Sequence, residues 1–414
     1  MTPRLSILRG DVLMRDGLIE AVGPHLRNSA SVTIPAEDRI VLPGLINSHT
    51  HSYHMVEKGS REGLPLDITP PVWLRRLRKA WRPTSWRAAA EACYADSLLS
   101  GVVFVADVLG ADALAECAGL TMKRVGISGL VYHRCLPPKK SRLALERFRV
   151  QFGITMPEEN AKVFGLRCLK ALAHKRSIPI RFHMHSGETA QRQEQAIKRW
   201  GYGAPSYLKE HGLLTRSTLL SHCGYHGEED IHAIAESGAA VVLCPSSVLK
   251  LQHNLAPISK LAKAGVPILV GTDGPAFNNS NDLLLTLRLL CLMRPWGIHG
   301  DEGIHPVQAL RFATSDAANW FGLNSGQIEA GREADIILID SDNFRIRPIV
   351  RAPFDNLVAN IILAATGQDV TDVIVRGRHV VRNRRLVTIS TRKSIRTLQQ
   401  EVNRALRAEK SNHC

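Results

Sequence analysis

The sequence predicts an α/β fold, a (β/α)8 TIM barrel that carries a small composite β-sandwich built from both chain ends. Eight short apolar runs alternate with helical patterns through the middle of the chain, and eight is the strand number of a closed parallel barrel. Both ends of the chain instead hold short β runs separated by turns, without helices between them. Polar residues stand where several of the eight runs end, at the face where such barrels place their sites.

The chain divides by pattern into three parts. Residues 1–46 and 330–390 are expected to form the sandwich, residues 47–329 the barrel, and residues 391–414 a basic C-terminal helix. In the first part, residues 10–22 alternate around an Asp-Gly turn, and residues 31–42 are a second extended stretch. Residues 334–340 and 370–381 are the β runs near the other end, so both ends are expected to pair.

The barrel strands are predicted where each apolar run reaches a polar residue. An open doubly wound sheet is the alternative, but it usually shows a Gly-rich phosphate turn after its first strand, whereas Pro43-Gly44-Leu45 precedes the end of that strand here. Helical patterns are clearest at residues 85–100, 160–175 and 281–293. The predicted strands are residues 42–49, 101–107, 124–132, 147–154, 178–185, 217–223, 239–245 and 266–273.

The formal net charge of +15 raises the question of an anionic partner. Much of the excess lies between Arg376 and Lys410, where eleven Lys or Arg stand against two Glu. Residues Ile395, Leu398, Val402 and Leu406 recur there at helical spacing, which predicts an amphipathic helix over residues 394–408 with a solvated basic face. Aromatic residues are not interleaved with these charges, so we expect no nucleic-acid partner, and an acidic partner is the alternative.

The composition favours a soluble cytoplasmic protein. The apolar runs are of strand length, short of the roughly 20 residues of a membrane span, and the first ten residues lack the apolar core of a secretory signal. The eight cysteines show no CxxC spacing, so disulfides and zinc-finger chemistry are not expected.

A His-x-His pair ends the first predicted barrel strand. His49 and His51 are two residues apart, so both side chains point to the same face, as two imidazoles must to bind one ion. Asn47 shares that face. A lone histidine in a strand is more often a core residue. A metal site is indicated here because further histidines and an aspartate stand at the ends of later strands.

The fifth strand repeats the spacing with His183 and His185, and alternation cannot choose between them because both face inward. Glu188 favours His185, since it follows three residues later, where a carboxylate can reach an ion's open coordination position. We therefore predict His185 as a metal ligand, His183 in a supporting role, and Glu188 as a catalytic residue, with a surface carboxylate as the alternative for Glu188.

Two more polar residues complete the set. His222 ends the sixth strand, and Asp273 ends the eighth, inside Gly-Thr-Asp-Gly. An aspartate between glycines is also a common turn or cap residue, but five apolar residues precede this one. Tyr225 and His226, in the loop after His222, are weaker candidates for substrate contact.

The assembled motifs resemble the amidohydrolase superfamily, in its branch of mononuclear-metal aminohydrolases that includes adenosylhomocysteine deaminases and triazine chlorohydrolases. The resemblance runs from about residue 10 to residue 389. Its motifs are Val-Leu-Pro-Gly-Leu-Ile-Asn-Ser-His-Thr-His at 41–51, His185 with Glu188-Thr189, Ser-His-Cys at 221–223, Gly-Thr-Asp-Gly at 271–274 and Gly-Gln-Ile-Glu-Ala-Gly-Arg-Glu-Ala-Asp at 326–335.

The resemblance implies that His49, His51, His185 and Asp273 bind one divalent ion, usually zinc or iron, with zinc expected. Glu188, His222 and Asp273 are then the catalytic residues, acting on a water whose pKa the ion lowers to about 7. Residues 153–155 read Gly-Ile-Thr where two-metal members place a bridging lysine, which favours a single ion. A homodimer or larger homo-oligomer is the family expectation.

Three departures from the family indicate a remodelled substrate pocket. Thr155 stands where nucleoside deaminases carry a histidine, Cys-Pro-Ser-Ser-Val at 244–248 lacks the family's two asparagines, and Ser128 aligns with an arginine of strand three, for which Arg134 or Arg142 are nearby substitutes. We expect hydrolytic deamination of an N-heterocyclic amine. The alternatives are dechlorination or cyclic amide or amidine hydrolysis at the same site, and a noncatalytic binding protein. The identity of the heterocycle stays open.

Overall fold

The computed structural model describes residues 7–26, 30–64, 66, 72–110, 114–156, 181–293 and 303–411. Eight parallel strands form one sheet in chain order, and almost every residue in them is buried because helices cover the sheet from outside. The predicted eight-stranded barrel is confirmed. Its strands are β4 (Leu45–Thr50), β5 (Val102–Val108), β6 (Ser128–His133), β7 (Val150–Thr155), β8 (Phe182–Ser186), β9 (Thr218–His222), β10 (Ala240–Leu243) and β11 (Ile268–Val270).

Helices follow most of these strands and cover the barrel. The predicted helices at residues 85–100 and 281–293 are observed as Pro83–Leu99 and Leu283–Leu292, and the one at residues 160–175 lies outside the described residues. The other helices are Val72–Lys79, Ala115–Val125, Lys139–Glu146, Ala190–Trp200, Ala204–Glu210, Glu228–Ser237, Pro245–Lys250, Ile258–Lys263, Pro275–Asn278, Pro306–Phe312, Ser315–Phe321, Leu357–Ala364 and Thr391–Ser411, with short 3-10 turns at Ser52–Glu57 and Gly367–Asp369.

The seam between the first and last barrel strands is closed by a side chain. Asn47 donates from Nδ2 to Oγ1 of Thr272 at 2.8 Å, and its Oδ1 accepts the backbone N–H of Thr272 at 3.1 Å. One residue further along, the N–H of Asp273 donates to the carbonyl oxygen of His49 at 3.0 Å. Asn47, His49 and Asp273 are therefore held together by the closure of the barrel itself.

Both chain ends contribute to a second, antiparallel sheet. β3 (Arg39–Pro43) pairs with β12 (Ile336–Asp340), which continues through β13 (Val370–Val375) and β14 (Arg378–Arg382) to β15 (Arg385–Leu386). The pairing of the two chain ends is confirmed, whereas the exact limits of the three parts stay a prediction.

A hairpin of β1 (Asp11–Arg15) and β2 (Leu18–Gly23) lies over this sheet, with Ile19 in a shared core beside Ile336 and Ile374. The turn of the hairpin is the predicted Asp16-Gly17, where both residues have positive φ, as a tight two-residue turn requires.

Most strand ends differ from the prediction by a few residues, and three of the differences are larger. The predicted strand at residues 42–49 is two strands in two sheets, broken at Gly44, where a Cβ atom would stand 2.4 Å from Cγ1 of Val103. Of the predicted stretch 31–42, only the residues of β3 are in a strand. The strand predicted from residue 124 begins at Ser128, because the preceding helix runs to Val125 and ends at Gly126 with φ 95°.

The C-terminal helix Thr391–Ser411 packs on helices Pro83–Leu99 and Val72–Lys79. Its predicted apolar stripe is partly wrong, since Ile395 is 61% exposed and Leu406 42% exposed, while Ala405 is fully buried. Two polar contacts set this rotation: Glu401 accepts from Ser85 Oγ at 2.7 Å, and Arg404 donates to the carbonyl oxygen of Ala80 at 3.0 Å. Among the described residues, no helix combines the length and apolarity needed to cross a membrane.

Candidate metal centre

Six polar side chains meet at the carboxyl ends of the barrel strands. The donor atoms of His49, His51 and His185 lie within 4.8 Å of one another, and those of Glu188, His222 and Asp273 do the same. Asp273 joins the two groups, because its Oδ1 is 3.7 Å from Nε2 of His49 and 3.4 Å from Nε2 of His51. The structure thus brings together every catalytic or ligand residue named from the sequence.

The imidazoles of His51 and His185 face each other through their Nε2 atoms. His51 Nδ1 lies 2.6 Å from the carbonyl oxygen of Val108, which can only accept, so Nδ1 carries the proton and Nε2 presents a lone pair. That Nε2 is 3.1 Å from Nε2 of His185. Burial lowers the pKa of both rings, so both are neutral and at most one proton lies between the two Nε2 atoms. With the proton of His185 on Nδ1, both Nε2 lone pairs are available to one cation.

His49 brings a third imidazole nitrogen to the cluster, while the nitrogens of His183 are bonded elsewhere. His49 Nε2 is buried and has no hydrogen-bond partner within the described ranges, while its Nδ1 is 3.1 Å from Ser221 Oγ. Ser221 Oγ is also 2.9 Å from His183 Nε2, and His183 Nδ1 is 2.9 Å from Thr155 Oγ1. Both nitrogens of His183 therefore have hydrogen-bond partners, and Ser221 links His183 to His49.

Asp273 holds its carboxylate in a strained turn. Its φ is 59°, a left-handed value that non-glycine residues seldom adopt, and Oδ1 accepts the N–H of Gly274 at 2.6 Å. Burial alone would raise the pKa of Asp273, but the nearby His49, His51 and His222 rings lower it well below its ordinary value. The carboxylate is therefore ionised and ready to act as a ligand or base.

Glu188 and His222 stand together on one side of the three imidazoles. His222 Nε2 is 3.4 Å from Glu188 Oε1, and neither ring nitrogen of His222 has a hydrogen-bond partner in the described part of the chain. Burial raises the pKa of Glu188 to about 7, with Arg192 acting in the opposite direction, and burial lowers the pKa of His222 to about 4. At neutral pH this places a carboxyl group that exchanges protons readily beside a neutral imidazole.

The weaker candidates are not brought into the site in the same way. His226 bonds Ser186 Oγ at 2.9 Å and Asp230 Oδ2 at 3.0 Å, so both of its nitrogens are occupied in the scaffold. Tyr225 accepts the N–H of Asn254 at 3.3 Å. Ser128 opens β6 and so lies at the amino end of its strand, away from the mouth.

Sequence reasoning missed several residues that support the site. Ser221 is named from the sequence only as part of a motif. It faces inward, towards His49 and His183, and His222 also reaches the site because its φ of 73° departs from the strand conformation. Asp107, at the end of β5, accepts from Ser52 N at 2.8 Å, Ser52 Oγ at 2.6 Å and Tyr94 Oη at 2.5 Å. Asp107 thereby fixes the turn after His51. Its place as a polar residue at the end of an apolar run could have identified it from the sequence.

The donor set fits one divalent cation. A tetrahedral ion with Zn–N distances of about 2.0–2.1 Å places its ligand atoms about 3.3 Å apart. The measured separations of 3.1 Å, 3.4 Å and 3.7 Å lie around that value. Imidazole and carboxylate donors that converge at the carboxyl mouth of a (β/α)8 barrel are the arrangement expected of a metal-dependent hydrolase.

The comparisons with known proteins give the family. Residues 40–380 match the amidohydrolase family, and the chain belongs to it. It is 29% identical over 407 residues to a 5-methylthioadenosine/S-adenosylhomocysteine deaminase of Pyrococcus furiosus, with 94% of each chain covered.

Two solved structures resemble the whole chain. An adenosine deaminase from Xanthomonas campestris with bound zinc matches at a TM-score of 0.83 and 25% identity, covering 95% of this chain and 93% of that one. An atrazine chlorohydrolase from Arthrobacter aurescens, complexed with zinc, matches at a TM-score of 0.81 and 25% identity, covering 94% of both chains.

Proposed function

We propose that this protein hydrolytically deaminates an N-heterocyclic amine of the purine, pterin, pyrimidine or triazine type and releases ammonia. One observation carries the proposal: a buried carboxyl group, Glu188, stands 3.4 Å from His222 beside a cluster of free imidazole and carboxylate donors. Deamination is supported further by relatives named as adenosine-type deaminases that match over nearly the whole chain.

His49, His51, His185 and Asp273 would hold one divalent ion, for which we propose Zn²⁺, with Fe²⁺ as the alternative. Bound there, such an ion lowers the pKa of a coordinated water to about 7. The choice of zinc is supported by the zinc bound in both similar structures. The three imidazoles also support zinc, because imidazole nitrogens are good ligands for Zn²⁺ whereas Mg²⁺ and Ca²⁺ require oxygen-rich sites.

The proposed proton transfers use Glu188 and Asp273. The oxygen of water bonds to the ring carbon while Asp273 takes one proton from that water, and Glu188 gives its own proton to the adjacent ring nitrogen. The carbon–amine bond then breaks as the amine receives the proton held by Asp273 and leaves as ammonia. The remaining hydroxyl proton returns to Glu188, so the product carries a ring N–H and a carbonyl, and both carboxyl groups are restored.

His222 is the proposed stabiliser of the oxygen that attacks. Its ring nitrogens have no hydrogen-bond partner among the described residues, and burial lowers its pKa to about 4, so the ring is neutral and keeps one N–H to donate. A donor held in a dry site and aimed at a developing oxyanion typically accelerates such reactions by about 10²–10³-fold.

The test is ammonia release by the full chain loaded with Zn²⁺ against purines, pterins, pyrimidines and triazines, each with its amine-free analogue as control. Ammonia from one of these classes, at a rate above that of the metal-free protein, is the expected result. If the loaded protein releases no ammonia from any class, deamination is wrong for this chain.

Hydrolytic dechlorination is the second candidate, favoured by the match to the atrazine chlorohydrolase at a TM-score of 0.81. Chloride release from chlorotriazines, measured in the same panel, separates it from deamination. A noncatalytic binding protein is disfavoured because all six polar site residues are present and converge.

We also propose that the protein works in the cytoplasm as a homo-oligomer. The resemblance to its family supports an oligomer, and the six described cysteines, none of them in a disulfide, are consistent with a reducing compartment. Light scattering of the purified chain at several concentrations tests the oligomer.

A further inference from the structure

The loop and helix after β8 form one rigid unit that carries Glu188. Thr189 caps the helix Ala190–Trp200, its Oγ1 accepting the N–H of Arg192 at 3.2 Å and its carbonyl oxygen accepting the N–H of Gln193 at 3.1 Å. Glu188 precedes the cap and lies outside the helix. The first helical turn therefore fixes where Arg192 stands relative to Glu188.

The two oxygens of the Glu188 carboxyl group have different neighbours. Oε2 accepts from Nη1 of Arg192 at 2.6 Å, and Oε1 lies 3.4 Å from Nε2 of His222. A carboxyl group bonded on one oxygen by a guanidinium cannot rotate without breaking that bond. Arg192 therefore leaves Oε1 as the oxygen that faces the donor cluster.

This ion pair differs from an ordinary surface pair at the same spacing. Exposed i,i+4 pairs contribute about 0.3–0.5 kcal/mol because water competes for both charges. Here the Glu188 side chain is 7% exposed and that of Arg192 25% exposed, so the carboxyl end of the pair is almost dry. In such a place, a guanidinium restricts a carboxyl group far more than it does in solvent.

We infer that Arg192 is a positioning residue, which holds the Glu188 carboxyl group so that Oε1 points at the substrate ring nitrogen. The inference rests on the proposed function for the identity of the proton acceptor. Arg192 itself touches no reacting atom. Its effect is on the fraction of time that Glu188 spends in the orientation from which its O–H bond breaks and the ring N–H bond forms.

The kinetic test compares Arg192→Met and Arg192→Lys with the wild type, all loaded with Zn²⁺. We expect Arg192→Met to lower kcat about 10–100-fold with KM changed less than about 3-fold, within the range that general acid catalysis contributes. Arg192→Lys keeps a single donor and is expected to recover part of the loss. The matched control is Lys198→Met, which removes one exposed positive charge from the same helix and should leave kcat within about 2-fold.

A double-mutant cycle separates positioning from other roles. If Arg192 acts through Glu188, then Arg192→Met causes no further loss in a Glu188→Gln background, because the group that it positions is already gone. An equal loss in both backgrounds overturns the inference, as does a rise in KM with unchanged kcat, which would assign Arg192 to substrate binding.

A crystal structure of zinc-loaded Arg192→Met gives a readout that needs no turnover. We expect the Glu188 carboxyl group to rotate, so that neither oxygen keeps the 3.4 Å approach to His222 Nε2. A carboxyl group that stays in place overturns the inference. If the wild type turns over no substrate, the proposed function fails, and this structure still decides the role of Arg192.

Discussion

The backbone N–H of Asp273 donates a hydrogen bond of 3.0 Å to the carbonyl oxygen of His49, so two of the proposed ligands are joined at the seam of the barrel. The eighth strand, β11, is only three residues long, and a regular ladder between it and the first strand is replaced here by side-chain bonds from Asn47. The position of the donor cluster therefore depends on the same bonds that close the barrel.

Asn47→Ala should destabilise the protein through this seam. The change leaves the buried N–H groups of Thr272 and His49 without the Asn47 oxygen that accepts both. The expected cost is about 2–6 kcal/mol of the free energy of unfolding, at about 1–3 kcal/mol for each unsatisfied group. Denaturant titration of the metal-free protein measures it. Asn403→Ala, on the C-terminal helix and exposed, is the control and should change the free energy of unfolding by less than about 0.5 kcal/mol. Equal values for the two variants would show that Asn47 does not close the seam.

Ser221→Ala should weaken metal binding without removing a ligand. Ser221 Oγ bridges His49 Nδ1 and His183 Nε2 at 3.1 Å and 2.9 Å, and partners of this kind orient ligand imidazoles. We expect zinc affinity to fall about 10–100-fold, measured by competition with a chelator. Ser217→Ala, just before the opposite end of the same strand, is the control. If its affinity falls as far as that of Ser221→Ala, the bridge is not the cause.

Glu188→Gln should abolish turnover while bound zinc stays near one ion per chain. The amide is close to the carboxyl group in size but has no acidic proton, so we expect kcat to fall about 10²–10⁴-fold. Ammonia release and elemental analysis measure the two quantities. Glu194→Gln, exposed on the helix that follows, should behave as wild type. A Glu188→Gln protein that keeps its rate removes Glu188 from the mechanism.

The stability of the metal-free protein should depend on pH because of the raised pKa of Glu188. Burial raises the pKa of Glu188 from 4.5 to about 7, so between these values the folded protein binds more protons than the unfolded chain. The stabilising contribution is complete below pH 4.5 and is lost as the pH rises through about 7. Relative to Glu188→Gln, the wild type should lose stability on the order of 3 kcal/mol over this interval. Thermal unfolding of both proteins from pH 5 to pH 8 measures the difference, and parallel curves would contradict it.

The barrel and the convergence of its donor residues were predictable because both depend on local pattern. A run of apolar residues ending in a polar one indicates a buried strand whose end faces the mouth, and this placed His49, His185 and Asp273 before any coordinates. Alternation has a period of two, however, so it could not separate His183 from His185. That choice depends on Thr155 and Ser221, which occupy both nitrogens of His183 from two other strands.

Features that depend on contacts between distant segments were the ones missed. The break at Gly44 comes from the close approach of Val103, which no local pattern reveals. The C-terminal helix is rotated because Glu401 and Arg404 form hydrogen bonds with groups outside that helix. As a result, the predicted apolar stripe through Ile395 is not the buried face. Arg192 was recoverable in principle, since it follows Glu188 by four residues, but only the burial of that carboxylate shows that the pair matters.

The pairing of β3 with β12 has a consequence for how the chain is made. The salt bridge between Arg39 and Asp340 joins residues 301 positions apart, so the first strands leave the ribosome long before their partners exist. At about 5–20 residues per second, the interval is on the order of 15–60 s. During that time Ile19 and its neighbours remain uncovered, which makes the nascent N-terminal segment a natural client for a chaperone that shields apolar strands until translation ends.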